Sequence, residues 1–176
     1  MGFVKELKVG AVEAVFRNVE LDFGLVVESF EIRGSGATVD LKSGGLQLPS
    51  PGHAKAVVTE GAIQALLTKQ APAQVRDFSV QISGGLIYVE AKAQVVVTIP
   101  VKAVCTIEIR DGKRLEVVLK QADVLGGAAK NLIESQLDKI NPIFDVADLP
   151  IEVNLLSVEA DGGRVVVLGD VVGVRR

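Results

Sequence analysis

From residue 87 to residue 109 every odd position is apolar: Ile87, Val89, Ala91, Ala93, Val95, Val97, Ile99, Val101, Ala103, Cys105, Ile107 and Ile109. Most even positions between them are polar or charged, among them Glu90, Lys92, Gln94, Thr98, Lys102, Thr106 and Glu108. Period-two alternation marks sheet with one buried face. At about 3.3 Å per residue a straight run would span roughly 75 Å, beyond an ordinary strand. The chain must therefore bend or turn within it, and Pro100 marks the place. The product is a large, one-sided apolar sheet, and the question for function is what covers that face.

Before this run the chain reads as strands and turns. Val9–Phe16, Leu25–Arg33 and Ala37–Leu41 are strand candidates, punctuated by Gly24, Gly34-Ser35-Gly36 and Ser43-Gly44-Gly45. Leu48-Pro49-Ser50-Pro51-Gly52 reads as a loop, since two prolines this close forbid a helix. A helix follows, with Thr59 as N-cap, Glu60 in the first turn, Ile63, Leu66 and Leu67 at helical spacing, and Pro72 as its stop. Val75–Ser83 is a strand with Phe78, Val80 and Ile82 on one face, and Ser83-Gly84-Gly85 leads into the long alternation. Asp111-Gly112 turns the chain into Leu115–Leu119. A second helix starts after Gly126-Gly127, carries the stripe Ala129, Leu132, Ile133, Leu137, Ile140, and stops at Asn141-Pro142. Ile151–Ala160, an Asp161-Gly162-Gly163 turn and Val165–Val174 close the chain. There is no exact repeat, low-complexity tract or linker, so one domain over residues 1–176 is expected.

Composition narrows the functional classes. The 176 residues are 48% hydrophobic, yet no apolar run approaches the ~18 residues of a membrane span. Thirty valines against one tyrosine and no tryptophan favour sheet and remove the usual platform for a sugar. A net charge of -3 argues against nucleic acid as partner, which calls for a basic stripe with stacking aromatics. A single cysteine, Cys105, excludes an internal disulfide and reads as a buried thiol on the apolar face. The first residues, Met1-Gly2-Phe3-Val4-Lys5-Glu6, lack the pattern of a signal peptide, and Glu6 breaks that of myristoylation.

Candidate chemistry is sparse. His53 is the only histidine, so neither a triad nor a metal cluster has an evident set of partners, and a solvated loop residue is the plain reading. Asp145, Asp148 and Asp161 fit turns better than acid–base pairs, and no calcium-loop pattern is present. Gly126-Gly127 could offer N–H groups to a phosphate, or simply open a helix. Arg110, Lys113 and Arg114 cluster at one hairpin, where a solvated turn competes with contact to anionic headgroups. No catalytic residue, metal ligand or cofactor is expected.

The apolar area of the chain points elsewhere. The two helices are about 11 and 13 residues long, roughly 17–20 Å each. Several curved strands present more apolar surface than two such helices cover. A second sheet, a subunit or a ligand must meet the remainder.

From Val57 onward the signals fall in a specific order. Val57-Val58-Thr59-Glu60-Gly61-Ala62-Ile63-Gln64-Ala65-Leu66-Leu67 resembles the helix start of the LmeA-like family of bacterial envelope lipid-binding proteins, with Gln64 where the family pattern has Asn. The helix to Ile140 followed by Asn141-Pro142-Ile143-Phe144-Asp145-Val146-Ala147-Asp148-Leu149-Pro150 resembles its second signature, and Val158–Val165 its closing hairpin. The resemblance covers roughly residues 55 to 172. It implies a fold similar to the tubular lipid-binding fold of bactericidal/permeability-increasing-type proteins, in which a strongly curved antiparallel sheet wraps a helix around an apolar cavity. It further implies phospholipid binding without catalysis, peripheral membrane contact, and a place in the cell envelope or at a membrane; the missing signal pattern leaves the cytoplasm open.

The expectation is thus an α+β domain, a curved antiparallel sheet around one or two helices, that binds, or binds and transfers, a phospholipid or other acyl-chain lipid. Its cavity would be lined by Ile63, Leu66, Leu67, Ile87, Val89, Val95, Val97, Ile99, Leu132, Ile133 and Leu137, residues that plain core packing would also employ. The alternative is a structural or stress-protection β-sandwich with a dry core, and an enzyme ranks third. A cavity favours the first, two sheets packed about 10 Å apart without one the second, and polar groups converging on a pocket the third.

Overall fold

A computed structural model of the chain describes residues 6–42, 46–94, 96–124, 127–149 and 151–174. Among them the elements run β1 (Glu6–Glu20), β2 (Val26–Asp40), β3 (Leu46–Thr59), α1 (Glu60–Gln70), β4 (Val75–Ser83), β5 (Leu86–Gln94), β6 (Thr98–Arg110), β7 (Arg114–Val124), α2 (Gly127–Ile140), β8 (Phe144–Asp145), a short 3-10 turn (Val146–Asp148), β9 (Ile151–Asp161) and β10 (Arg164–Val174). The strands form two five-stranded antiparallel sheets, in the orders β1-β2-β3-β10-β9 and β4-β5-β6-β7-β8, and curl into a half-barrel.

The long alternation folds back on itself as β5 and β6. Ile87 pairs with Cys105, Val89 with Ala103, Ala91 with Val101 and Ala93 with Ile99. Odd faces odd, so the apolar stripe stays on one side of the sheet through the reversal. The reversal lies between Gln94 and Thr98, and Pro100 sits inside β6, opposite Lys92. Pro100 is tolerated because it lies beyond the last β6–β7 pair, Val101 with Val124, where no ladder bond to β7 is required.

Two further expectations are corrected. Leu48–Gly52 is part of strand β3, with His53 in the same strand. The β3–β10 register slips between the pairs Val171–Gly52 and Gly173–Gln47, and the β2–β3 register between Arg33 and Thr38. Pro49 and Pro51 therefore fall in an irregularity where ladder donors are not called for. Likewise Gly34-Ser35-Gly36 does not turn the chain. Gly34 and Ser35 pair with Val12 and Ala11, and β2 runs on to Asp40. Ser43-Gly44-Gly45 and Gly126 lie outside the described residues.

The sheets meet along one seam and stand apart on the other side. β9 is the strand of the first sheet that approaches β4, β5 and β6. Leu155 N–H donates to Gly112 O at 2.7 Å, and Gly85 N–H to Ala160 O at 2.8 Å. On the other side α1 is the spacer, touching β4 in one sheet and β2 and β3 in the other. Its N-terminus is clasped. Thr59 Oγ1 accepts from Ala62 N–H at 3.3 Å, Glu60 N–H donates to Gly163 O at 3.2 Å, and Glu60 Oε1 accepts from Ile82 N–H at 2.7 Å. Asp161 Oδ1 accepts from Gly84 N–H at 2.9 Å. The N–H groups of Gly84 and Gly162 hold its carboxyl below the usual range. Ile82, 1% exposed, lies under this clasp, and Val146 is fully buried beside β8.

Candidate functional site

Between the sheets lies a cavity of about 240 Å³, partly open to solvent. A single water needs roughly 10–15 Å³ of such space. Sheet one contributes Val27 and Phe30 from β2, Ala54, Ala56 and Val58 from β3, Val153 and Leu155 from β9, and Val165, Val167 and Gly169 from β10. Sheet two contributes Ile87 and Val89, Cys105 and Ile107, Leu115 and Val117, and Phe144. Helix α1 closes one side with Ile63, Leu66 and Leu67, and α2 another with Leu137 and Ile140. Every lining residue is apolar or glycine, so water inside would find almost no hydrogen-bond partners.

Local chemistry explains how this space is held open. The inner face of β3 and β10 places small residues opposite one another: Ala56 pairs with Val167 and Ala54 with Gly169. At Gly169 a Cβ would come within 2.9 Å of both Asn154 O and Val153 Cγ1, at the slip where β9 leaves register with β10. Only glycine allows that approach. On β1 and β2 the inward parity changes at Asn18, whose φ is 51°. Val19 and Val27 line the cavity on one side of it and Phe30 on the other. Phe30 stacks on Phe16 with ring centroids 6.3 Å apart, and Phe16, half exposed, carries the apolar surface out to solvent. At the far end the Asn141 side chain replaces a missing strand partner for β7. Its Oδ1 accepts from Val117 N–H at 2.9 Å and its Nδ2 donates to Val117 O at 2.8 Å, which fixes the end of α2 over the cavity.

Of the residues expected to line a cavity, Ile63, Leu66, Leu67, Ile87, Val89 and Leu137 do so. Ile133 packs against the hydrophobic core without reaching the lining. Val97 is 66% exposed in the β5–β6 turn, and Ile99 is half-buried near the start of β6, outside the lining. The alternation outruns the cavity, because the stripe continues past the end of α1. Val95 and the Leu132 side chain lie outside the described residues. The wall from the first sheet was missed; its one signal is the run of small residues at Ala54 and Ala56, set one apart in a strand.

The polar candidates stand elsewhere. His53 is an exposed strand residue whose Nδ1 lies 3.3 Å from Asp170. Asp145 caps the 3-10 turn through Ala147 N–H, and Asp148 is exposed. Arg110 pairs with Glu108 and Glu116, and Arg114 with Asp111, so the two arginines of that hairpin have carboxylate partners, while Lys113 is exposed. Gln64 is exposed on α1, off the lining.

Cys105 is the one ionisable group in the lining, and burial pushes its thiol from 9.0 up to about 11. The folded state prefers the neutral thiol. Its contribution is whole below pH 9.0 and is lost as pH rises toward about 11. Two units correspond to about 3 kcal/mol. Denaturant titrations of Cys105→Val and the parent at rising pH should therefore diverge above pH 9, the variant losing less stability. Parallel curves would mean that the thiol ionises without cost.

No curated protein and no solved structure matches the chain. A family model described as LmeA-like phospholipid-binding matches residues 4–170. The match reaches back across β1, β2 and β3, so it takes in both sheets around the cavity. The chain belongs to the LmeA-like phospholipid-binding family.

Proposed function

We propose that the protein binds the acyl portion of a phospholipid or similar lipid in the cavity between its sheets, without catalysis, and that the fold is of the tubular, bactericidal/permeability-increasing type, built as one domain. The observation that carries this reading is a sizeable cavity with an entirely apolar lining in a member of a phospholipid-binding family. Each buried CH₂ would stabilise the complex by about 0.8 kcal/mol, so affinity should follow chain length more than headgroup. The ligand-contacting side chains in this reading are Ile63, Leu66 and Leu67 on α1, Ile87 and Val89 on β5, Leu137 on α2, and the facing wall of Phe30, Ala56 and Val167. A dry sandwich would instead bring the two inner faces together at about 10 Å, which the α1 spacer opposes. Family membership also supports a working place at a membrane or in the envelope. Among the described residues no helix is long and apolar enough to cross a membrane.

The test is native mass spectrometry of the purified chain with organic extraction of what it carries. The expected result is a lipid at near-stoichiometric amount, retained more tightly as its chains lengthen. An apo mass that gains nothing on incubation with vesicles overturns the reading.

A further inference from the structure

Three described hairpin turns share a polar, glycine-rich chemistry, Gly84-Gly85, Asp111-Gly112 and Asp161-Gly162-Gly163, and the β1–β2 turn holds Asp22 and Gly24 around the cavity-lining Phe23. The β5–β6 turn departs from this chemistry. Its residues 95–97 are three valines, and Val96 is 95% and Val97 66% exposed. Valine supplies neither the backbone freedom nor the polar group that turns use, so this tip sets apolar surface in water for no local gain. From Ala93 to Val101 there is no charge at all. The first charged row behind the tip pairs Arg76 with Lys92 across β4 and β5. Lys92 is bound to Asp77 at 3.0 Å, and Arg76 makes no ion pair among the described residues. Two cations thus face one carboxylate. One row further, Lys102 stands with Glu90 at 2.7 Å and opposite Asp123.

The tip is continuous with the cavity. The inward stripe that begins at Ile87 and Val89 in the lining runs on through buried Ala91 and Ala93 to the turn. Gln94 N–H donates to Gln74 O at 2.7 Å, and Gln70 Nε2 donates to Phe23 O at 2.8 Å. These bonds bring the tip, the C-terminal end of α1 and the cavity-lining Phe23 to one end of the molecule.

We infer that this end docks on an anionic phospholipid bilayer, with Val96 and Val97 entering the acyl boundary and Arg76 and Lys92 meeting lipid phosphates. An apolar wedge backed by cations is the chemistry that an interfacial anchor needs. The inference goes beyond the cavity reading, because docking and cargo can fail separately.

The experiment is co-sedimentation of the full chain with vesicles of equal parts phosphatidylglycerol and phosphatidylcholine, and with phosphatidylcholine alone. The parent should bind the anionic vesicles more tightly, and added salt should weaken it. Val96→Asp and Val97→Asp should each weaken binding about tenfold, since a carboxylate resists the acyl boundary, and Arg76→Gln should remove the preference for phosphatidylglycerol. Val96 and Val97 are too exposed for these changes to disturb the fold. Leu156→Asp, at an apolar site 60% exposed on β9, serves as control and should bind like the parent. Unchanged binding by Val96→Asp, an equal loss in the control, or no binding by the parent overturns the proposal, as does a parent that forms a dimer which Val96→Asp dissolves. Lipid carried by Val96→Asp in native mass spectrometry reports on the cavity alone.

Discussion

Ala56→Trp should leave the protein folded and empty of lipid. Ala56 sits near the C-terminal end of β3, half-buried, between Phe30 on one neighbouring strand and Val167 on the other. All three line the cavity. An indole projecting from this position enters space that no atom of the chain occupies, so it displaces ligand without displacing packed side chains. Removing void surface tends to stabilise, and the melting temperature should hold or rise. The loss of lipid should be near complete, because the indole and an acyl chain would compete for the same space against Phe30 and Val167. Val89→Trp makes the same test from the opposite sheet. Native mass spectrometry reads the result, with circular dichroism confirming the fold. A folded variant that still carries lipid at the parent's stoichiometry would remove the cavity from the binding reaction.

Ile82→Ala should cost about 3–5 kcal/mol, a large part of the roughly 5–15 kcal/mol that holds a domain together. The side chain is 1% exposed. Its residue is also the point where three elements meet: the Ile82 N–H donates to the Glu60 carboxylate, and its carbonyl accepts from Gly163 N–H at 3.0 Å. Truncation therefore leaves a hole beside hydrogen bonds that cannot move to fill it without letting go of the α1 N-terminus. Urea titration should show a lower midpoint at an unchanged slope. A loss below about 1 kcal/mol would mean that the clasp relaxes freely around the gap.

Where backbone chemistry and periodicity agreed, the sequence was readable. Thr59 and Pro72 bracket α1, whose helix runs Glu60–Gln70, and Val75–Ser83 is the strand its alternation predicts. Where a residue has two uses, it was not. Pro100, Pro49 and Pro51 read as breaks because proline lacks a donor, yet each sits where the ladder needs none. The true reversal after Gln94 is made of valines and sends no turn signal. The candidate site divides along the same line. The apolar stripes of α1 and β5 are visible in one dimension, and so were their members in the lining. The first-sheet wall was hidden because alternation tells which face is inward but not whether that face meets atoms or a void. That difference depends on strand partners such as Ala54 with Gly169, more than 100 positions apart in the chain. The family signatures were legible as pattern but not as purpose. Thr59, Glu60 and Asn141 bind backbone groups that fix the helices, and none of them is in the lining.

The α1 spacer has a consequence for how such a protein can change over time. A helix is about 10–12 Å across, and here one stands between two sheets that touch along only one side. The void is thus set first by backbone geometry, and the small residues Ala54, Ala56 and Gly169 keep its first-sheet wall clear. Apart from Gly169, residues around it are free to drift among Ala, Val, Leu, Ile and Phe, reshaping the hollow for a different guest, while the clasp at Glu60 and the Asn141 tie keep the walls in place. Selection acting on the guest and selection acting on the frame fall on separate sets of positions.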